Sequence, residues 1–267
     1  GGGEPLVYYH ISEVFETTLD YGIDLSIITN GQQLKDERAD LLSNAKWVRI
    51  SSDSSDPKTF SDIRRVKEDL FYSLRDNIKA FAKKKSLDCE LGINFVVNNK
   101  NFNTVYSSAR FFKELGVNHI KFTPMWREEG FFEYHSSMND FVLEQLSRAK
   151  EELEDKNFAV YDTYENDFNL SGVSRRIYPV CFIMQTVPVI GADSTVYFCH
   201  DKTYTKQGSL GSLKDRSFKD LWFSKETEEK FKNFDPREGC QHHCTYDARN
   251  RFIYDSLDCY GDHVNFI

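Results

Sequence analysis

The first half of the chain alternates strand signals with helix signals, and this rhythm limits the fold more than any other feature of the sequence. After the opening "GGGEPLVYYH", Val7, Ile11, Val14, Phe15 and Leu19 recur at helical spacing, and "DLSIIT" reads as a short buried strand that ends at the turn "TNG". "QQLKDERADLLSNA" reads as a helix and "KWVRISS" as a strand. One long helix is expected over "SDIRRVKEDLFYSLRDNIKAFAKKK", with Ile63, Val66, Leu70, Leu74, Ile78 and Phe81 on its apolar side. "LDCELGINFVV" is the next strand, "TVYSSARFFKELG" a helix with a glycine stop, and "HIKFTP" a further strand. Strict alternation of this kind requires a parallel sheet with crossover helices, as an open doubly wound sheet or a barrel.

Polar segments mark where the chemistry sits. "GGGEP", "TNG", "SSDSS", "NNKN" and "TPMW" each fall where a strand hands over to the next element, and parallel α/β folds bind ligands at that end of their strands. From about Gly130 to Arg175 the rhythm stops: a long amphipathic helix, "SSMNDFVLEQLSRAKEELED", leads into a polar and aromatic connector, "YDTYENDFNLSGVSRR". Beyond it, "VPVIGADSTVYFC" reads as a two-stranded hairpin with Gly191 to Ser194 in its turn. Helices follow over "SFKDLW", "KETEEKFKNF" and "TYDARNRFIYDSLD". The expected division is 1–130, a 131–175 helical connector, and a small cysteine-rich α+β domain over 176–267.

Composition excludes several functions. A net charge of -8 without a long basic run argues against a nucleic-acid groove or an anionic membrane surface as partner. No apolar run approaches the roughly 20 residues that cross a bilayer, so a cytoplasmic location is the default expectation.

The cysteines point elsewhere. Cys89 stands alone, whereas Cys181, Cys199, Cys240, Cys244 and Cys259 crowd into the last third. Cys181 and Cys199 bracket the expected hairpin, and Cys240 and Cys244 stand one helical turn apart, so four thiolates can converge. Such a set suits tetrahedral zinc or a 4Fe-4S cluster, and spacing alone does not separate them; buried free thiols are the plainer reading. His200, His242 and His243 flank the set and are read as packing or hydrogen-bonding beside it, with nitrogen ligation as the alternative. Cys259, beyond the last helix, is read as a structural thiol.

The order of these features resembles the radical S-adenosylmethionine (radical SAM) superfamily. The segment "CFIMQTVPVIGADSTVYFCHD...LGSLKDRSFKDLW...CQHHC" is similar to that family's SPASM domain or its shorter twitch form, the twitch form having cysteines for one cluster. The resemblance implies a partial (β/α)6 barrel, here lacking its first strand and followed by the auxiliary-cluster domain. It also implies that "GGGEP" ends the second strand, so that the C-x3-C-x2-C loop holding the SAM-binding 4Fe-4S cluster would lie upstream of Gly1. Gly2, Gly3 and Glu4 then match the motif that accepts hydrogen bonds from the methionine ammonium of SAM. Ser51 and Asp53 match positions near its ribose or carboxylate, Thr29 and Asn30 line the same rim, and Asn101 matches a further polar contact, with Asn98 and Asn99 as rivals. Cys181, Cys199, Cys240 and Cys244 match the ligands of one auxiliary 4Fe-4S cluster.

The implied activity is hydrogen-atom abstraction from an organic substrate by a 5'-deoxyadenosyl radical. The auxiliary cluster would serve electron transfer or structure, and an electron donor such as flavodoxin or ferredoxin would be a partner. No residue is assigned to the catalytic step itself, and the 267 residues alone are expected to be inactive. Peptide, sugar and aminoglycoside-like substrates fit equally a cavity expected to be lined by Phe122, Met125 and Trp126. The alternative from another class is a non-catalytic α/β binding module with a zinc-stabilised tail.

Overall fold

A computed structural model describes residues 3–127, 130–164, 176–240 and 244–258. These fall into two compact units, the described residues of 3–164 and those of 176–258.

In the first unit the apolar runs form strands β1 (Ser26–Thr29), β2 (Trp47–Ser51), β3 (Glu90–Val97), β4 (His119–Pro124) and β5 (Ala159–Asp162). All pair in parallel, in the spatial order β1-β2-β3-β4-β5. Helices α1 (Ile11–Asp20), α2 (Asp36–Leu42), α3 (Pro57–Arg64), α4 (Asp69–Lys84), α5 (Val105–Glu114), α6 (Phe131–Ser136) and α7 (Asn139–Leu153) cross between them. β3 is central, and Leu91, Gly92 and Ile93 are buried in succession because both of its faces are covered. Val48, Ile50, Phe95, Val97 and Ile120 join Phe15, Leu74, Ile78, Phe81, Phe112 and Leu146 from the helices in one core. Phe122 belongs to this core, its ring 5.1 Å from Phe95, rather than to an open wall. Alternation along β4 turns Ile120, Phe122 and Pro124 inward together.

Two elements differ from the sequence reading. The single long helix expected over residues 61–85 is broken into α3 and α4. α3 starts where the Asp56 carboxylate accepts from Thr59 N at 2.8 Å ahead of Pro57, and stops at Arg65, whose φ of 56° is left-handed. The Ser61 hydroxyl donates to Val66 O at 2.6 Å and fastens the break. The rhythm also does not stop after Gly130: α7 packs on α5 and returns the chain to β5, where Ala159 pairs with His119 and Val160 with Ile120. β5 has four residues of which only Val160 is buried, too little apolar signal to stand out from the polar segment around it.

The second unit holds an antiparallel sheet in the order β6-β7-β8 (Val189–Ile190, Thr195–Tyr197, Ser209–Ser212). The β6-β7 turn closes through Ser194 at φ 64° and the Asp193 carboxylate, which accepts from Thr195 N at 3.0 Å. β8 is a third strand beyond the expected hairpin. Helices α8 (Phe218–Trp222), α9 (Lys225–Asn233), α10 (Pro236–Gly239) and α11 (Asp247–Asp258) follow. The Ser217 and Ser224 hydroxyls cap α8 and α9. Met184, Val196, Phe198, Leu210 and Leu221 form the core of this unit. Among the described residues no helix is long and apolar enough to cross a membrane.

Candidate functional sites

The polar residues singled out in the first unit gather at the C-terminal ends of β1, β2 and β3. Gly3 has φ 73°, a conformation that favours glycine, and Glu4 follows as the cap of a single 3-10 turn. The Glu4 carboxylate accepts from Leu6 N, from the Thr29 hydroxyl and from Asn30 N, at 3.0, 2.6 and 2.6 Å. Three of its roughly four lone-pair positions are therefore used within the protein, leaving room for one further donor. Gly2 lies outside the described residues.

At the next strand ends the side chains hold one another. Asp53 Oδ1 accepts from Val96 N at 2.9 Å and Oδ2 from Arg64 Nη2 at 3.0 Å. Burial pushes the Asp53 carboxyl up, against the opposing pull of the Arg64 charge and the Val96 N–H. Asn101 is fully buried; its amide donates to Asp53 O and Val96 O and accepts from Asn98 N, which ties the end of β2 to that of β3. A ligand contact by the Asn101 side chain would require breaking this clamp. Asn98 is nearly as buried, while Asn99 is exposed and accepts from the Tyr134 hydroxyl.

Asn30 and Ser51 share a pocket with Gln32, Phe60, Arg64 and Leu70. Arg64 was not singled out in the sequence. Its Nη2 also donates to Ser51 O, so a cationic group lines this pocket, and its buried Nε has no hydrogen-bond partner among the described residues. One of the two arginines of "DIRRV" carries no sequence signal that separates it from a solvated helix residue.

In the second unit Cys181, Cys199, Cys240 and Cys244 line one pocket, together with Met184, Phe198, Phe234 and Tyr246. Cys181 precedes β6, Cys199 follows β7, Cys240 ends α10 and Cys244 precedes α11, so separate elements each deliver a thiol. All four are free, and Cys89 is a buried core thiol of the other unit. Burial pushes the Cys240 thiol up to about 12 and the Cys244 thiol up to about 11, and raises Cys199 as well. Such thiols are neutral at neutral pH in the metal-free chain and give up their protons to a metal. His200 is exposed, its Nε2 3.2 Å from Asp201 Oδ1 and its ring 5.4 Å from that of Tyr246. His242, His243 and Cys259 lie outside the described residues.

Residues 181–245 match the SPASM family, described as an iron-sulfur cluster-binding domain. The match covers this segment of the second unit. The four thiols of the pocket all fall within it. No curated protein matches the chain significantly. Among solved structures, Streptococcus suis SuiB bound to precursor peptide SuiA is similar over 87% of this chain and 55% of its own, at 16% identity and a TM-score of 0.60. SuiB bound to S-adenosylmethionine is similar over 87% and 56%, at 17% identity and a TM-score of 0.61. anSMEcpe with bound AdoMet is similar over 87% and 67%, at 22% identity and a TM-score of 0.53. The chain thus shares its fold with these structures, matches the SPASM family over residues 181–245, and spans a little over half the length of SuiB.

The donor set of the SPASM pocket can be tested for fit. A tetrahedral zinc with Zn–S near 2.3 Å needs its sulfurs about 3.8 Å apart. Among the described residues the only group of three or more ligand-type atoms within 4.8 Å of one another is Cys199, His200 and Asp201, so no three of the four thiols are that close. Four thiols lining one pocket, with no three of them packed as closely as a single zinc ion requires, are compatible as a donor set with a cluster in which each thiolate binds a different iron.

Proposed function

We propose that this protein acts in radical SAM chemistry, with Cys181, Cys199, Cys240 and Cys244 holding one auxiliary 4Fe-4S cluster. The observation that carries the reading is the convergence of these four thiols in a single pocket of the SPASM segment. When bound, the cluster supplies one-electron transfer or a structural crosslink. The chain's residues supply four thiolates from separate elements, with an apolar lining of Met184, Phe198 and Phe234 that limits water.

The reading assigns SAM to the rim at the C-terminal ends of β1 and β2. Glu4 would accept from the methionine ammonium through its remaining lone pair, and Asn30 and Ser51 would face the ligand in their shared pocket. The 267 residues contain no C-x3-C-x2-C run; in this reading SAM cleavage requires that run, and the one electron that the cleavage consumes comes from an external donor such as flavodoxin or ferredoxin. The reaction is hydrogen abstraction from an organic substrate, and a peptide is favoured because the similar SuiB was solved with a precursor peptide.

Anaerobic reconstitution tests the reading. The chain should take up close to four irons and four sulfides, Cys199→Ala or Cys244→Ala should abolish uptake, and Cys89→Ala and Cys259→Ala should not. Uptake unaffected by Cys199→Ala would overturn the ligand set. A second reading, a binding module holding a single zinc ion, is favoured by the close group of Cys199, His200 and Asp201. Stoichiometric zinc without iron, lost in His200→Ala, would select it.

A further inference from the structure

Asn250 lies on α11, fully buried beside the cysteine pocket. Its Oδ1 accepts from Phe182 N at 2.8 Å and from Ile183 N at 3.3 Å. Two backbone donors on one side fix which end of the amide is oxygen, so the Nδ2 group faces the other way. There it donates to Cys181 Sγ at 3.4 Å and to Tyr246 O at 3.2 Å. Every hydrogen of this buried amide is used, and one of them points at a thiol of the ligand set. Cys244 receives a similar contact from Tyr246 N, also at 3.4 Å, but from backbone that no substitution removes.

We infer that Asn250 is a positioning residue for the auxiliary cluster, which fixes Cys181 for ligation and donates a hydrogen bond to its sulfur, raising the reduction potential. The inference rests on the cluster reading above. A reduced cluster carries more negative charge on its sulfurs, so an N–H aimed at a cysteine sulfur stabilises the reduced form more than the oxidised one. The same side chain binds the backbone at 182 and 183, which holds the Cys181 segment against α11 whether or not metal is present.

The test compares the reconstituted full chain with Asn250→Asp and Asn250→Leu. Asn250→Asp keeps an acceptor for Phe182 N and Ile183 N and removes the donor to sulfur. Asn250→Leu removes the donor without adding charge. The expected result is iron content near that of the parent in Asn250→Asp, with both variants shifted to a more negative potential in electron-resonance-monitored titrations. One exchangeable deuteron coupling should be lost from their electron-nuclear double-resonance spectra in D2O. Unchanged potential and coupling would overturn the inference, as would a shift confined to Asn250→Asp, which would report only the added charge. Loss of iron from Asn250→Leu alone, with the fold retained by circular dichroism, would report the Cys181 clamp and support the positioning role; loss of iron from both variants together with an unfolded cysteine unit would overturn it, because Asn250 would then serve the fold alone. A parent chain that takes up no iron would fail the cluster reading itself, a result distinguishable from all of these.

Discussion

Thr29 donates its hydroxyl to Glu4 Oε1 at 2.6 Å, joining the opening loop to the end of β1 across 25 residues of sequence. Asn30 N reinforces the join at Oε2. Glu4→Gln replaces an acceptor with a donor at this three-way contact, so it should cost about 1 to 3 kcal/mol of stability as well as weaken any ligand held there. Urea unfolding of the variant gives the figure. An unchanged midpoint would mean that the carboxylate is a solvated turn residue.

The Asp53 carboxyl should titrate above the ordinary carboxylate range, and Arg64→Leu should push it higher still. Burial is the larger cause of the upward shift and Arg64 opposes it. The sign follows: a carboxyl whose folded value is raised binds its proton more tightly in the folded state, so its contribution to stability is full below the unfolded value and declines as pH rises through the folded one. A carboxyl-carbon NMR titration reports the midpoint directly. A value at or below the ordinary range would contradict the burial argument.

Asp247 should behave in the opposite sense. It accepts from Tyr178 Oη at 2.8 Å and Arg251 Nε at 2.7 Å, and lies 3.1 Å from Arg176 Nη1. Burial pushes its carboxyl up, but Arg251, Tyr178 and Arg176 together hold it below the usual range. The stability it confers is therefore present above the unfolded value and is lost as pH falls through the folded one. Asp247→Asn should cost roughly 3 kcal/mol at pH 7, because Arg176 is only 4% exposed, and much less at pH 3. Urea midpoints at the two pH values test this.

Gly92 stands directly across from His119 in the β3-β4 pair, and a Cβ added to it would fall within contact distance of the imidazole ring. Gly92→Ala should destabilise by about 1 to 3 kcal/mol through overpacking. The double variant Gly92→Ala/His119→Ala should recover much of that loss. A double-mutant cycle with no coupling would show that the ring moves aside freely.

The parallel β/α organisation was legible because β3 carries a run of buried residues and β2 and β4 alternate buried apolar residues, each between helical patterns. β5 was not, since a strand with one buried side chain is specified by the pairing available at β4 rather than by its own composition. The α3-α4 break was hidden for a related reason: Arg65 adopts a left-handed conformation that its residue type does not announce. That four of the cysteines come to line one pocket could be read from their placement. Asn250 could not, because one asparagine in an amphipathic helix looks like a solvated residue until the backbone at 182 and 183 is seen against it. The same holds for Arg64 at the β2 end.

The two units also differ in when, during synthesis, they can be finished. Each strand of the large sheet pairs with the strand before it in sequence, so the sheet can be extended in the order in which the chain leaves the ribosome. The β6-β7-β8 sheet of the cysteine unit can grow in the same way, but the surroundings of its thiols cannot. Asn250 reaches back 68 residues to Phe182, and Asp247 reaches back 69 to Tyr178. Until α11 has emerged, the Cys181 segment lacks its clamp, so the pocket that the four thiols line can close only after residue 250 has been made.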